Sequence, residues 1–430
     1  MKDAIARKLA QIPPGCLLVG IDPHKNQHAA VVMTPETNVV TKFKIDNSLD
    51  GFEQLCHRVE QEMYRQSAEG AMYAIEAGAH FWRNLAYFLY ERGKPFRLVN
   101  PYTLKRRREG DDLDHRKNDY RDATMAAELL RTGKFTDTQL LTGLYAELRS
   151  AHKAYHRLIK RQTRVLNLLT GLMDGLFPEF RQVFTRVDNK TALTVLWDCP
   201  APGEISRMSL DSFIDRIRRV YRGQRLALSK LQALHEKAQQ SAGIAAGAEA
   251  VTLEVRHAAQ ELHILQTQGI AWEAYLTNLV SKLPETRFLL SIPGLSQVTV
   301  AGLLGELGPL DRYNSAKQLV KMAGTNPTES ESAGKRSPRS SMSKRGRSTL
   351  RSCLWMAALQ LLHHNEDFAN WAKALKERPL DANPLKPGEA VGAVANRLLR
   401  VAYALVKHQT TYRSAVGEVN QASQEVVEAE

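Results

Sequence analysis

Two aspartates one helical turn apart, Asp119 and Asp122, are the residues of this sequence whose spacing most suggests chemistry. They lie in the segment RKNDYRDATMAAELL (residues 116–130), whose apolar spacing predicts a helix that begins at these acids. Residues three positions apart project from the same face of a helix. One explanation is structural, since the helix dipole favours acids in the first turn. The other is a metal site, because carboxylates supply the oxygen ligands that hard cations prefer.

Asp22 and Glu76 are two further acids, and each ends a predicted strand, CLLVGID and MYAIEA respectively. The predicted order is three strands in a meander followed by alternating helices and strands, which indicates a mixed sheet covered by helices. We expect the first and fourth strands of this sheet to lie side by side, so that Asp22 and Glu76 meet. A helix laid across the same end would add Asp119 and Asp122. Four clustered carboxylates repel one another and therefore favour a bound cation.

Magnesium is the expected metal, because Mg²⁺ prefers hard oxygen ligands, and Mn²⁺ is the alternative. Two such ions can stabilise the attacking and leaving oxygens of a phosphodiester. A single acid at a strand end is more often structural than catalytic, so the hypothesis depends on all four positions together. Three acids on a predicted loop compete as ligands: Asp111, Asp112 and Asp114.

The chain is strongly basic. Its 430 residues include 59 lysines and arginines against 46 aspartates and glutamates, which gives a net charge of +13 and a pI near 9.5. This balance indicates an anionic partner, most commonly nucleic acid. The cations that we predict to contact nucleic acid are Lys105, Arg106, Arg107, Arg108, Lys335, Arg336, Lys344, Arg345 and Arg347. For Lys344, Arg345 and Arg347, a solvated basic loop is the competing explanation.

The cysteines and the apolar runs limit the class of protein. The four cysteines are isolated and form no CxxC pair, which argues against a zinc knuckle and a disulfide framework. The first residues lack the apolar core of a signal peptide. No run reaches the length of about 18 apolar residues that a membrane span needs. We therefore expect a cytoplasmic, nucleoid-associated protein without a membrane partner.

The periodicity predicts an α/β domain followed by all-α regions. Residues 1–136 contain the mixed sheet. Residues 137–284 contain three long amphipathic stretches, which predict an antiparallel helical arm with the pattern of a coiled coil. Residues 285–412 predict a helical domain that contains a helix-hairpin-helix-like turn at IPGLSQ (residues 292–297), although an ordinary turn between helices fits nearly as well. Residues 413–430 form a polar, acidic tail that we expect to fray.

The motifs resemble a known family. LLVGIDPHKNQHAAVVM, YAIEAGAHF and KNDYRDATMAAELL resemble the DEDD transposases of the IS110 insertion-sequence family. IPGLSQVTVAGLLGELG and KMAGTNPTESESAGKRSPRSSMSKRGRSTLR resemble the C-terminal transposase domain of that family. The resemblance implies a RuvC-like, ribonuclease-H-type domain with Asp22, Glu76, Asp119 and Asp122 as the DEDD set. It also implies a catalytic serine in the C-terminal domain and guidance by a structured RNA of the element, called bridge RNA.

The position of that serine is open between two residues. In the family, the proline after the AG element is followed a few residues later by Ser-Gly. Here Pro327 is followed by TESESAG, so the match falls on Ser332, but Ala333 separates it from the glycine and leaves Ser330 as a rival. The competing explanation of this segment is a disordered linker rich in serine and arginine.

The expected function is that of a DNA transposase or recombinase. It would cut and rejoin element and target DNA through a covalent serine–DNA intermediate, because a serine activated beside a metal can attack a phosphodiester. The expected partners are donor DNA, target DNA, the bridge RNA and further copies of the chain, as a homodimer that assembles to a tetramer. Ser332 would act beside the carboxylates of the same or another subunit. The alternatives are a RuvC-like nuclease, such as a junction resolvase, that never rejoins DNA, and a nucleic-acid-binding scaffold without catalysis.

Overall fold

A five-stranded mixed sheet forms the centre of the amino-terminal part of the chain. In chain order its strands are β1 (Cys16–Pro23), β2 (Gln27–Met33), β3 (Val39–Asp46), β4 (Gly70–Glu76) and β5 (Phe96–Val99). Their order in the sheet is β3-β2-β1-β4-β5. The β1–β2 and β2–β3 pairs are antiparallel, whereas the β1–β4 and β4–β5 pairs are parallel. The predicted mixed sheet and the predicted contact between its first and fourth strands are therefore confirmed.

This description comes from a computed structural model that describes residues 2–111, 118–136, 140–223, 225–328, 331–332, 335–336, 341–379 and 383–414. The chain separates into two compact units, Met1–Leu140 and Leu141–Glu430. Within the described ranges, none of the helices combines the length and the apolar character that a membrane span requires. All but two residues of the predicted acidic tail lie outside these ranges.

Helices cover both faces of the sheet in the first unit. They are α1 (Lys2–Leu9), α2 (Leu49–Arg65), α3 (Trp82–Glu91), α4 (Pro101–Asp111) and α5 (Asp119–Arg131). Side chains of a strand alternate between its two faces. On β1, Leu17, Val19 and Ile21 join the core formed with α2 and α3. Leu18 faces the opposite side and joins the core formed with α5.

Thirteen α-helices and a short 3-10 helix make up the described part of the second unit, together with a small ribbon. The α-helices are α6 (Gly143–Leu176), α7 (Phe180–Val183), α8 (Lys190–Asp198), α9 (Pro202–Ser206), α10 (Leu210–Val220), α11 (Leu228–Ala238), α12 (Ala248–Ser281), α13 (Thr286–Leu290), α14 (Gln297–Leu307), α15 (Ala316–Ala323), α16 (Ser348–His364), α17 (Glu366–Lys376) and α18 (Pro387–His408). The 3-10 helix is Leu310–Arg312, and the ribbon strands are β6 (Glu331–Ser332) and β7 (Lys335–Arg336).

The two longest helices, α6 and α12, form an antiparallel pair. Near one end of the pair, the Tyr155 hydroxyl donates to Glu273 at 2.7 Å. Farther along, the Gln162 amide donates to the main-chain oxygen of Leu265 at 2.7 Å. Because the partner number falls as the α6 number rises, the helices run in opposite directions, as the sequence predicts.

The prediction of the second of the three long helices is wrong. The segment from residue 208 to 243 forms two helices, α10 and α11, rather than one. The break lies around Gly223, a residue that lowers helix stability. There the Tyr221 ring folds back so closely that a Cβ on Gly223 would lie 2.2 Å from its hydroxyl oxygen. The Tyr221 hydroxyl donates to the main-chain oxygen of Arg225 at 2.7 Å, which stabilises the turn.

The second unit has two hydrophobic cores along the α6–α12 pair. One contains Leu169 and Leu262 and packs the pair against α7 to α11. The other contains Leu148 and Leu276 and packs the opposite end of the pair against α13 to α18. The turn at residues 292–297 lies in this second core and joins α13 to α14, where Gly294 adopts a φ of +95°. The predicted division at residue 284 falls inside a single compact unit and within this second core, which includes both Leu283 and Phe288.

A buried glutamate in the second unit is surrounded by cations. Glu306 on α14 is 1% exposed. Arg149 lies 3.6 Å, Arg347 3.7 Å and Lys153 3.9 Å from its carboxylate oxygens. Burial is the largest influence on Arg347 and lowers its pKa to about 10. One carboxylate therefore compensates cations from α6 and from the residue that precedes α16.

We predict that Glu306→Gln lowers the free energy of unfolding by about 3 kcal/mol, because it leaves three partly buried cations without the buried counter-ion that they share. The control is Glu261→Gln. Glu261 lies 2.7 Å from Arg161, but both side chains are more than a third exposed, so this change should cost less than about 1 kcal/mol. Denaturant unfolding followed by tryptophan fluorescence measures both. Equal losses for the two variants would show that burial does not determine the effect.

Candidate metal centre

Three of the four predicted acids meet in one cluster. Oxygen atoms of Asp22, Glu76 and Asp122 all lie within 4.8 Å of one another. Asp22 is 6% exposed and Asp122 is 1% exposed, while Glu76 is partly buried. The cluster therefore consists of carboxylates that the fold holds largely away from water.

The pleat of the sheet explains why Asp22 and Glu76 share a face. Ile21 of β1 pairs with Ile75 of β4, so the next residues on the two parallel strands are Asp22 and Glu76. Every second residue of a strand lies on the same face of the sheet. Glu76 therefore shares a face with Ala74, and Asp22 shares one with Leu18, and both of these apolar residues face α5. The two acids therefore point to the face that α5 covers.

A glycine in β1 lets α5 bring Asp122 to the same place. A Cβ on Gly20 would lie 1.8 Å from the main-chain oxygen of Ala123, so only glycine allows this approach of helix and strand. The helix starts where the sequence predicts, because the Asn118 side chain accepts from the main-chain N–H of Tyr120 at 3.0 Å. Asp122 in the first turn is thereby fixed over the end of β1.

The fourth predicted acid, Asp119, lies in a second cluster that shares Asp22. Ligand atoms of Asp22, His24 and Asp119 lie within 4.8 Å of one another. His24 Nε2 is 3.1 Å from Asp22 Oδ2 and 3.3 Å from Asp119 Oδ1. Lys44 Nζ is 3.3 Å from the other oxygen, Asp119 Oδ2. The four acids thus form two neighbouring clusters joined at Asp22.

Sequence reasoning missed His24 and Lys44. The signal for His24 was its position two residues after a strand-end acid in the motif IDPHK. Lys44 gave no comparable signal, since it lies on β3 and reaches Asp119 only because the meander places β3 in the same sheet.

The pKa shifts show the mutual repulsion in the first cluster. Burial, followed by the charges of Asp22 and Asp122, raises the pKa of Glu76 to about 7. Burial also raises the pKa of Asp22, although His24 partly opposes the shift. In the second cluster burial acts upward on Asp119, but the hydrogen bond from Lys44 and the charge of His24 outweigh it and lower its pKa.

The predicted basic run lies on α4 and is partly engaged within the first unit. Arg108 Nη2 is 2.6 Å from Asp122 Oδ1, so this arginine contacts the carboxylate cluster directly. Arg107 pairs with Glu128 at 3.2 Å. The remaining cations of the run have local contacts on α4: Lys105 with Glu109, and Arg106 over the Tyr102 ring. Arg108 therefore holds a carboxylate of the cluster, and the contact of this run with nucleic acid stays a prediction.

The donor set of the first cluster fits a divalent metal. Arg108 contacts Asp122, and the pKa of Glu76 stays raised despite that guanidinium, so the negative charge of the three carboxylates is under-compensated. Hard oxygen donors in this number suit Mg²⁺ or Mn²⁺. Among the competing acids, Asp112 and Asp114 lie outside the described residues, and the Asp111 side chain is not described.

The predicted serine loop contains a ribbon. Main-chain bonds join its two arms, from Thr328 N to Ser341 O at 2.7 Å and from Ser343 N to Asn326 O at 2.9 Å. At its end Ser332 pairs with Lys335 across β6 and β7, and Glu331 pairs with Arg336. Only the backbone of these four residues is described, and Ser330 lies outside the described residues.

The three cations after the ribbon have different surroundings. Lys344 and Arg345 are exposed, and Lys344 adopts a positive φ of 52°. Arg347 instead turns inward, where its guanidinium donates to the main-chain oxygen of Glu306 and neighbours its carboxylate. A solvated basic loop thus describes Lys344 and Arg345 but not Arg347.

Comparisons with known proteins agree with this arrangement. A DEDD transposase model of the IS110 family matches residues 19–178, and a model described as "Transposase IS116/IS110/IS902 family" matches residues 286–372. The Streptomyces coelicolor protein named "Insertion element IS110 uncharacterized 43.6 kDa protein" is 23% identical over 305 residues, which cover 69% of this chain and 72% of that protein. The Coxiella burnetii "Transposase for insertion sequence element IS1111A" is 31% identical over 127 residues, which cover 29% of this chain and 33% of that protein.

The mixed sheet and the acids at the ends of β1 and β4 and on α5 are compatible with the ribonuclease-H-like class of nucleic-acid enzymes. The two family models match in the expected order and include all four acids in the first match. The chain belongs to the IS110 family of transposases.

We predict that Glu76→Gln stabilises the metal-free protein at pH 8 but not at pH 5. The folded pKa of about 7 lies above the ordinary value of 4.5, so the stability contributed by Glu76 is full below pH 4.5 and is lost as pH rises through 7. Glutamine removes the repelled charge. An increase of about 1 kcal/mol would raise the Tm by roughly 2–4 °C at pH 8.

Thermal unfolding in EDTA at both pH values measures this effect. Glu91→Gln is the matched control, since Glu91 is an exposed residue at the end of α3. A Glu76→Gln variant that is less stable than wild type at pH 8 would contradict the proposed repulsion.

Proposed function

We propose that this transposase cuts and rejoins element and target DNA at the centre formed by Asp22, Glu76, Asp119 and Asp122, with Ser332 as the nucleophile. The observation that carries the proposal is the cluster of Asp22, Glu76 and Asp122, whose oxygens lie within 4.8 Å of one another. Clustered carboxylates at this point of a ribonuclease-H-like sheet support phosphodiester chemistry.

Asp22, Glu76 and Asp122 would hold the first divalent ion, which we propose is Mg²⁺ or Mn²⁺, and Asp119 would contribute beside Asp22. When bound, such an ion neutralises the phosphate and favours the deprotonated form of a nearby hydroxyl. Arg108, at 2.6 Å from Asp122, orients that carboxylate. Lys44, at 3.3 Å from Asp119, does the same for the fourth acid.

The proposed serine step conserves the energy of the phosphodiester. The Ser332 hydroxyl loses its proton, and its Oγ forms a bond to phosphorus as the bond to one strand end breaks. That strand end leaves as a hydroxyl, and the other end remains joined to the protein as a phosphoester. Attack by the hydroxyl of another strand reverses the step and joins the DNA without ATP. Covalent catalysis of this kind divides one difficult step into two easier ones.

The basic faces of the second unit support a nucleic-acid partner. Arg157, Lys160 and Arg164 lie along α6, and Lys344 and Arg345 are exposed beside the ribbon. Phosphate contacts by such side chains give affinity that falls with salt and carries no sequence information. We therefore propose that a structured bridge RNA supplies the target sequence and that the arm contributes to its binding.

We predict that Ser332→Ala abolishes the covalent protein–DNA adduct and that Ser330→Ala retains it. Denaturing gels of labelled DNA detect the adduct, and peptide mapping after nuclease digestion identifies the residue. Asp22→Ala is the companion variant, because it removes the metal centre and should stop strand exchange while RNA binding persists. An adduct on a peptide modified at Ser330 would move the nucleophile by two residues. Metal-dependent cleavage without any adduct would indicate a nuclease instead.

We predict that the natively purified protein carries a structured RNA and assembles as a dimer that pairs into a tetramer. Recombination joins two duplexes, so four strand cleavages are needed. Sequencing of the co-purified RNA and light scattering of the complex test the two statements. A complex that remains monomeric, or a protein that retains no specific RNA, would contradict the corresponding part.

A further inference from the structure

The imidazole of His24 lies between two acids of the metal centre. Its Nε2 is 3.1 Å from Asp22 Oδ2 and 3.3 Å from Asp119 Oδ1. The His24 and Asp119 side chains are 39% and 36% exposed, so small ions reach this point from solvent. The Lys44 contact uses Asp119 Oδ2 and leaves Asp119 Oδ1 directed to His24.

The backbone of His24 is held by a hydrogen bond to a buried histidine. Its main-chain N–H donates to Nδ1 of His28 at 3.2 Å. His28 is fully buried and stacks on Phe52 with ring centroids 5.7 Å apart. This contact places the main chain that carries the imidazole, so fewer positions are open to His24 Nε2.

The spacing around Nε2 matches the edge of a coordination shell. Adjacent ligands of a six-coordinate ion with bonds of about 2.1 Å are about 3.0 Å apart. A neutral Nε2 lone pair that faces two carboxylate oxygens would be repelled, and a single N–H cannot point directly at both of them. A cation shared by the three atoms satisfies all of them.

We propose that His24 is a nitrogen ligand of a second cation position, formed with Asp22 and Asp119, and that it makes this position select Mn²⁺ over Mg²⁺. Imidazole is a good ligand for transition metals, whereas Mg²⁺ prefers oxygen and keeps its water. Asp22 belongs to both groups of acids, so it would be shared between this position and the one formed with Glu76 and Asp122. The inference rests on the proposed metal centre and adds a ligand and a metal preference to it.

Pulsed electron paramagnetic resonance of Mn²⁺ bound to the full chain tests the proposal. The wild type should show ¹⁴N modulation from a directly bound imidazole, and His24→Ala should lose it. His57→Ala is the matched control, because His57 is an exposed histidine on α2 whose contact is with Gln61. In titrations, His24→Ala should weaken Mn²⁺ binding at least about tenfold and change Mg²⁺ binding less than about twofold.

The outcomes separate this inference from the proposed function. Mn²⁺ that binds the wild type without ¹⁴N modulation and is lost in Asp22→Asn overturns the role of His24 and leaves the carboxylate centre in place. Modulation that persists in His24→Ala also overturns that role. Mn²⁺ binding that is absent in the wild type, or unchanged in Asp22→Asn, overturns the metal centre itself and this inference with it.

Discussion

The repulsion among carboxylates that the fold forces together is the constraint on which the first unit depends. The backbone produces this repulsion, because β1 pairs with β4 in parallel and α5 approaches β1 at Gly20, where any side chain would block the contact. The resulting charge is expensive to bury unless a cation compensates it. Arg108, His24 and Lys44 reduce the cost, yet the pKa of Glu76 remains about 7. This residual strain is what a divalent ion would relieve.

In the second unit the balance of charge is reversed, because several cations surround one buried carboxylate. There one buried carboxylate, Glu306, serves cations from α6 and from the segment between the ribbon and α16. The carboxylate links Arg347, just past the ribbon, to Arg149 and Lys153 of α6. Glu306 can therefore hold the segment that follows the Ser332 ribbon in place without taking part in the chemistry. Such a contact matters because a site is formed accurately only on a rigid support.

Much of the fold and the positions of the acids could be predicted from the sequence, because these depend on local signals. The strand ends, the start of α5 at Asp119 and the contact between β1 and β4 follow from periodicity and from general rules of sheet topology. The break at Gly223 was missed because the apolar period continues across it, and only the folded-back ring of Tyr221 reveals the turn. The ribbon around Ser332 was hidden by a composition typical of linkers.

The roles of cations were the hardest to predict, since a long side chain selects its partner in three dimensions. Arg108 and Arg347 looked equivalent to the exposed Lys344 and Arg345, but each contacts a buried acid. Net charge reports the sum of such groups and cannot say which of them faces solvent. Acids at strand ends are predictable because the backbone directs a short side chain. Arginine and lysine have four or more rotatable bonds, so their direction depends on the acids that the fold has already buried.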